Sequence, residues 1–251
     1  MPERNEFKIA TFGPPEEDTR RDSLKDLFDA WPINPKEFFL NLGLFLPPQT
    51  LSRILFMHHL YSQILDVQGV IIEFGCRWGQ NLSLFSSLRG IYEPFNRLRR
   101  IIGFDTFEGF IKVGDKDHHS LSQGDYAVAK DYQNYLERLL SLMEQESPLS
   151  HIKKFDIIKG NAPDMLAKYL EEHPETVVAL AYFDMDLYEP TRDCLSIIRP
   201  YLTKGSVLGF DELNDSLCPG ETVAVREVFG LSNLRIKRFP HNSRTSYTVF
   251  E

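Results

Sequence analysis

Residues 176–186, TVVALAYFDMD, carry an unbroken apolar run from Val177 to Phe183 and then two aspartates one residue apart. Such a run is short for a helix, and it lacks the alternation of a strand with one wet face. It reads as a strand covered on both sides, the kind found in parallel sheets between helical layers. The flanks agree. TRDCLSIIRPYL (191–202) has helical spacing, and GSVLGFDEL (205–213) is a second apolar strand that again closes on acids. Upstream the same alternation runs through GVIIEFG, NLSLFSSLRGIYE, LRRIIGFD, AVAKDYQNYLERLLSLMEQ, KFDIIKG and APDMLAKYLEEH. Strands separated by helices predict a doubly wound, mostly parallel α/β sheet. At the end, LRIKRF and TSYTVF are separated only by PHNSR, too short for a parallel crossover, so the last strand is expected to return antiparallel.

In such a sheet ligands bind beyond the carboxyl ends of the strands. Those ends carry Glu73 to Gly79, Asp105, Asn161, Asp184 with Asp186, and Asp211 with Glu212. EFGCRWGQN (73–81) opens a helix with glycines spaced Gly-x-x-x-Gly, which permits a tight turn and close approach of a ligand to unpaired backbone N–H groups. It lacks the first spacing of Gly-x-Gly-x-x-Gly, and Glu73 suits a cationic ligand better than a phosphate. Asp105, at the second strand end, stands where a nucleoside site needs a carboxylate for ribose hydroxyls. The expected cofactor set is therefore Glu73, Gly75, Arg77, Gly79, Gln80, Asn81, Asp105 and Thr106. If the fourth and fifth strands are neighbours, Asp184, Asp211 and Glu212 converge, and a divalent cation such as Mg²⁺, Mn²⁺ or Ca²⁺ relieves their repulsion. Asp186 falls on the same side as Asp184 if the extended chain persists, in place to act as general base on a cation-activated hydroxyl.

Length and charge narrow the possibilities. A chain of 251 residues with 42% hydrophobic content can bury one large core, and a net charge of −8 argues against a nucleic-acid surface. Arg97, Arg99 and Arg100 read as a solvated helix end. Cys76, Cys194 and Cys218 have neither disulfide nor zinc spacing, which favours a reducing compartment. No apolar run approaches the roughly 20 residues that span a bilayer, and the charged N-terminus lacks a signal core, so a cytoplasmic protein without membrane contact is expected. Residues 1–34 read as an arm or flap, and 35–251 as one domain. Within it Thr50 is expected to cap a helix whose His58 and His59 have structural or surface roles. The polar stretch 107–128 is long enough to be a lid. There His118 and His119, with Tyr188 and Glu189 beyond the paired aspartates, are candidate substrate contacts.

EFGCRWGQN, GFDTFEGF, ALAYFDMDLYEPT and LTKGSVLGFDEL together resemble the macrocin O-methyltransferase family of TylF, MycF and NovP, nearest the branch that methylates deoxysugars of natural products such as calicheamicin. The likeness runs from about residue 36 to the C-terminus. It implies a class I, Rossmann-like methyltransferase fold with seven strands and an N-terminal helical arm. It also implies S-adenosylmethionine as methyl donor, a divalent metal, a sugar hydroxyl as acceptor and a homo-oligomer. By motif, Asp184 and Asp211 match metal ligands, Asp186 the general base and Asp105 the ribose contact. KGNAPDML places Asn161 and Ala162 at the adenine pocket. Much of the family has Asp-Asp where this chain has Asp211-Glu212, so Glu212 is the ligand that departs from the pattern. Two other readings stay open: a glycosyltransferase holding a nucleotide sugar through Asp-x-Asp and a metal, and a non-enzymatic binding module.

Overall fold

Each apolar run becomes a strand that stops close to where its apolar residues stop. The computed structural model describes Pro14 and residues 16–251; the start of the expected arm, residues 1–13 and 15, lies outside the described residues. Five parallel strands, β1 Val70–Phe74, β2 Ile101–Asp105, β3 Phe155–Lys159, β4 Val178–Phe183 and β5 Leu202–Phe210, are joined by two short ones, β6 Lys237–Arg238 and β7 Ser246–Val249. The order across the sheet is β3-β2-β1-β4-β5-β7-β6, with β7 antiparallel to both neighbours. The doubly wound sheet and its antiparallel return are thus as expected, although LRIKRF contributes only two strand residues.

The described residues include seven α-helices: α1 Glu16–Asp29, α2 Pro48–Ser62, α3 Gln80–Tyr92, α4 Tyr132–Gln145, α5 Ala162–Glu172, α6 Tyr188–Ile198 and α7 Pro219–Val228. Phe56, Leu60, Phe85, Leu136 and Leu140 of α2–α4 pack with Ile71, Ile101 and Leu180 on one face of the sheet. Leu166, Leu195, Ile198 and Val225 of α5–α7 pack with Ile72, Ile102 and Leu208 on the other. A fully buried Leu or Phe contributes about 1.5–3 kcal/mol, so these six helices are fixed by their apolar stripes. Helix α1 buries no residue and gains none of this.

One row of the core sets the level of everything above it. Phe74, Phe104, Phe183 and Phe210 are fully buried and paired in register across β2-β1-β4-β5. Their ring centroids lie 5.5, 4.9 and 5.5 Å apart, the outer two pairs stacked and the Phe74–Phe183 pair tilted. The next residues along the four strands are Gly75, Asp105, Asp184 and Asp211. Backbone pairing continues to that level: Gly75 N–H donates to the Phe104 carbonyl, Asp184 N–H to Phe74, and Asp211 N–H to Phe183.

Three local expectations are corrected. Thr50 does not cap α2; the helix begins at Pro48 after Pro47, and proline in the first turn has no N–H to satisfy. Helix α4 starts at Tyr132, five residues later than the apolar pattern suggests, because Asp131 is left-handed (φ 60°). Arg99 is 2% exposed and not solvated. Its guanidinium donates to the carbonyls of Ile64, Val67 and Gly69 and to Glu93, which satisfies the chain between α2 and β1.

Candidate active site

The turn after β1 is pressed against the tip of β4. Gly75 has φ 81°, and a Cβ there would collide with the carbonyl oxygen of Asp184, so only glycine fits. Two residues on, the Arg77 N–H donates to Asp105 Oδ2 at 2.7 Å, while the Phe107 N–H donates to Asp105 Oδ1 at 2.5 Å. Asp105 therefore joins the glycine turn to the start of the 107–128 segment. Burial pushes its carboxyl upward even though both N–H groups oppose the shift. Behind the turn, Glu73 is 1% exposed. It accepts from Asn81 Nδ2 at 2.8 Å through Oε1, whereas Glu73 Oε2 and Asn81 Oδ1 are buried and unpartnered. Burial pushes Glu73 up to about 8.

The acids of β4 and β5 meet as expected. Ligand atoms of Asp184, Asp211 and Glu212 lie within 4.8 Å of one another. Two arginines that the strand-end reading did not single out hold them. Arg53 of α2 donates from Nη1 to Asp184 Oδ2 (3.2 Å) and from Nη2 to Asp211 Oδ1 (2.7 Å), an oxygen that also accepts from the Tyr182 hydroxyl (2.5 Å). Arg244, in the loop before β7, bonds Glu212 Oε1 at 3.2 Å and Asp215 at 2.8 Å. Burial, then Asp211, pushes Asp184 up to about 8. Burial, then Asp211 and Asp186, pushes Glu212 well above its usual range. In Asp211 burial is outweighed by Arg53 and by the hydrogen bond from Tyr182, which hold the carboxyl below its usual value. Glu221, fully buried in the first turn of α7, accepts the Glu212 N–H at 2.9 Å and so fixes the β5 tip.

Asp186 is placed differently from the expectation. The extended chain does not persist, because Asp186 is left-handed (φ 58°). Its carboxylate accepts from the Cys218 thiol at 3.2 Å and groups with Glu212 and Cys218, beside the Asp184 set and sharing Glu212 with it. Burial pushes it up to about 6.

A cavity of about 640 Å³ unites these parts. Glu73, Gly75, Arg77, Gln80, Asn81, Asp105, Thr106, Asn161 and Ala162 line it, as do Asp184, Asp186, Asp211, Glu212 and Glu189. Gly79 does not; it begins α3 at φ 73°. His118, His119 and Tyr188 also stand outside the lining. The His118 ring bonds Ser120 and stacks on His119, while Tyr188 is buried with its hydroxyl on Glu227. Ser120 and Leu121 of the same segment face the cavity instead. That segment is tied to α6 by Lys112 on Glu189 and by Asp117 on the Tyr188 N–H.

A sheet ordered 3-2-1-4-5-7-6, with a glycine turn after β1 and a carboxylate at the end of β2 opening into one cavity, defines a class I S-adenosylmethionine-dependent methyltransferase. The crystal structure of CalS11, calicheamicin methyltransferase, superposes with a TM-score of 0.92 at 43% identity, over 96% of this chain and 95% of that one. The apo structure of CalS11, described as a TDP-rhamnose 3'-O-methyltransferase, gives 0.85 at 40%, over 96% of each. The chain belongs to the deoxysugar O-methyltransferase family of CalS11. The O-methyltransferase NovP, at 18% identity, 79% coverage of each chain and a TM-score of 0.60, shares the fold. No protein-family model and no curated protein matches the chain. Membership of this family sets aside the glycosyltransferase and binding-module readings.

Proposed function

We propose that the chain is a divalent-cation-dependent enzyme that methylates a ring hydroxyl of a deoxysugar carried on a nucleoside diphosphate. The observation that carries this reading is the presence, in one cavity, of two unpartnered acceptors beside the glycine turn and three convergent carboxylates at the β4 and β5 tips. Glu73 Oε2 and Asn81 Oδ1 fit the ammonium group of S-adenosylmethionine, since a buried acceptor without a donor is costly. Asp105 and Thr106 fit its ribose, and Asn161 and Ala162 its adenine. The unpartnered Glu212 Oε2, with Asp184 and Asp211, offers the hard oxygen donors that Mg²⁺ takes. The acceptor class follows CalS11, a TDP-rhamnose 3'-O-methyltransferase.

When bound, the donor supplies an electrophilic methyl group, and the cation lowers the pKa of a hydroxyl and fixes its direction. Asp186, whose Oδ1 accepts from the Cys218 thiol, accepts the hydroxyl proton. Arg53, Arg244 and Glu221 hold the acids in place. Residues 107–128 act as a lid that excludes water, and Glu189, paired with Lys112, stands at the sugar end of the cavity. Residues 35–251 act as one catalytic domain, and the exposed Phe39, Leu40 and Leu44 after the arm suit contact with a second copy. No helix among the described residues is long and apolar enough to cross a membrane, and the three cysteines are free and buried. We place the enzyme in the cytoplasm, with a small-molecule partner and not nucleic acid.

The test is Asp184→Ala, assayed by mass spectrometry with S-adenosylmethionine, Mg²⁺ and a panel of nucleotide-linked deoxysugars. Turnover is lost while S-adenosylhomocysteine binding, measured by calorimetry, persists. Near-normal turnover by the variant, or by wild type treated with chelator, refutes the cation's part.

A further inference from the structure

The acid cluster is not left to repel itself. Arg53 lies on α2, whose neighbouring Ser52, Phe56 and Met57 are buried, so its guanidinium is delivered from a helix locked onto the sheet. It joins two strands at once, with one nitrogen on Asp184 of the β4 tip and another on Asp211 of the β5 tip. The Tyr182 hydroxyl closes the third side on the same Asp211 oxygen. Arg244 reaches Glu212, Asp215 and the Cys218 sulfur but forms no hydrogen bond with Asp184 or Asp211, so it makes no such bridge.

Two of the three carboxylates proposed to hold a divalent cation are therefore already bridged by a permanent positive charge. We infer that Arg53 is a built-in countercharge: it holds Asp184 and Asp211 together in the cation-free enzyme and, by like-charge repulsion, weakens the cluster's grip on a divalent cation. The inference rests on the cation's place in the proposed function and adds to it a residue that sets how tightly the cation is held. The geometry gives the effect two faces of opposite sign. Without the guanidinium the cluster of buried acids loses its tie and the cation-free protein is less stable. With the guanidinium gone, a cation meets the same carboxylates without a competitor. A guanidinium hydrogen-bonded to both carboxylates that would hold a cation would oppose its binding by more than one tenfold step in affinity requires.

The experiment compares wild type with Arg53→Met, which keeps an apolar stem and removes the charge, and with Arg53→Lys, which keeps the charge. Mn²⁺ is titrated by calorimetry into each full-length protein, and thermal unfolding is recorded in chelator and in saturating Mn²⁺. Arg53→Met is expected to bind Mn²⁺ about tenfold tighter or more, as loss of a shared like charge requires. It is also expected to melt lower than wild type in chelator and to recover with Mn²⁺, while Arg53→Lys stays close to wild type in affinity. If Arg53→Met is folded by circular dichroism and binds Mn²⁺ no more tightly than wild type, the inference is overturned and the proposed cation site stands. If Arg53→Met fails to fold even with Mn²⁺, Arg53→Gln takes its place under the same criterion. If wild type itself binds no Mn²⁺, the cation's part in the proposed function fails, and the inference with it.

Discussion

Replacing Glu73 by glutamine separates the charge of this carboxylate from its shape. Glu73 is fully enclosed between β1 and α3, with one oxygen on Asn81 and the other unpartnered, and burial raises it from 4.5 to about 8. Between those values the folded chain keeps a proton that the unfolded chain has released. The stabilising contribution of the neutral form is therefore complete below pH 4.5 and is lost as pH rises through 8. Glutamine is neutral throughout and escapes this loss. From pH 5 to pH 9 the stability of Glu73→Gln relative to wild type should rise by about 4 kcal/mol, taking each pKa unit as about 1.4 kcal/mol. Urea unfolding of both ligand-free proteins at the two pH values measures it, and groups distant from Glu73 cancel in the difference. If S-adenosylhomocysteine sets its ammonium group on Oε2, as proposed, it should narrow the gap by favouring the ionised wild type. A gap that stays constant between pH 5 and pH 9 would show that Glu73 is ionised in the fold and refute the reasoning.

Two further outcomes are expected elsewhere in the chain. Arg99→Met strips donors from three carbonyls and leaves Glu93 without its cation, which should destabilise the protein by about 3–5 kcal/mol in urea unfolding; a loss under about 1 kcal/mol would mean that water replaces the guanidinium. His118→Ala and His119→Ala should each leave steady-state kinetics unchanged, because neither ring reaches the cavity; a large fall in kcat for either would place that ring on the substrate.

The parts of the site that lie on strand tips were legible because a parallel sheet brings its carboxyl ends to one edge. Asp105, Asp184, Asp211 and Glu212 needed only the order of the strands. Arg53 was not legible. It sits 131 residues before Asp184 and 158 before Asp211, on a helix whose apolar spacing draws the eye to the core, and nothing local marks the arginine as a tie between carboxylates. Glu221 and Cys218 were hidden likewise, since their meaning comes from the fold of α7 back onto the β5 tip. Asp186 shows the limit of period-two reasoning: the alternation ends with Phe183, and the left-handed turn at Asp186 redirects its side chain toward Glu212 and Cys218. Arg99 was misjudged because a run of arginines looks wet in a sequence, while three carbonyls at the end of α2 needed a donor.

The row of phenylalanines acts as a gauge for the chemistry above it. Four strands present Gly75, Asp105, Asp184 and Asp211 at one height only because the rings beneath interlock at one height. A slip of a single strand by one position would carry its acid about 3.3 Å away and turn it to the opposite face. Residues 107–128 and the connecting loops lie outside this row and can therefore vary in length and composition without disturbing the spacing of the strand tips.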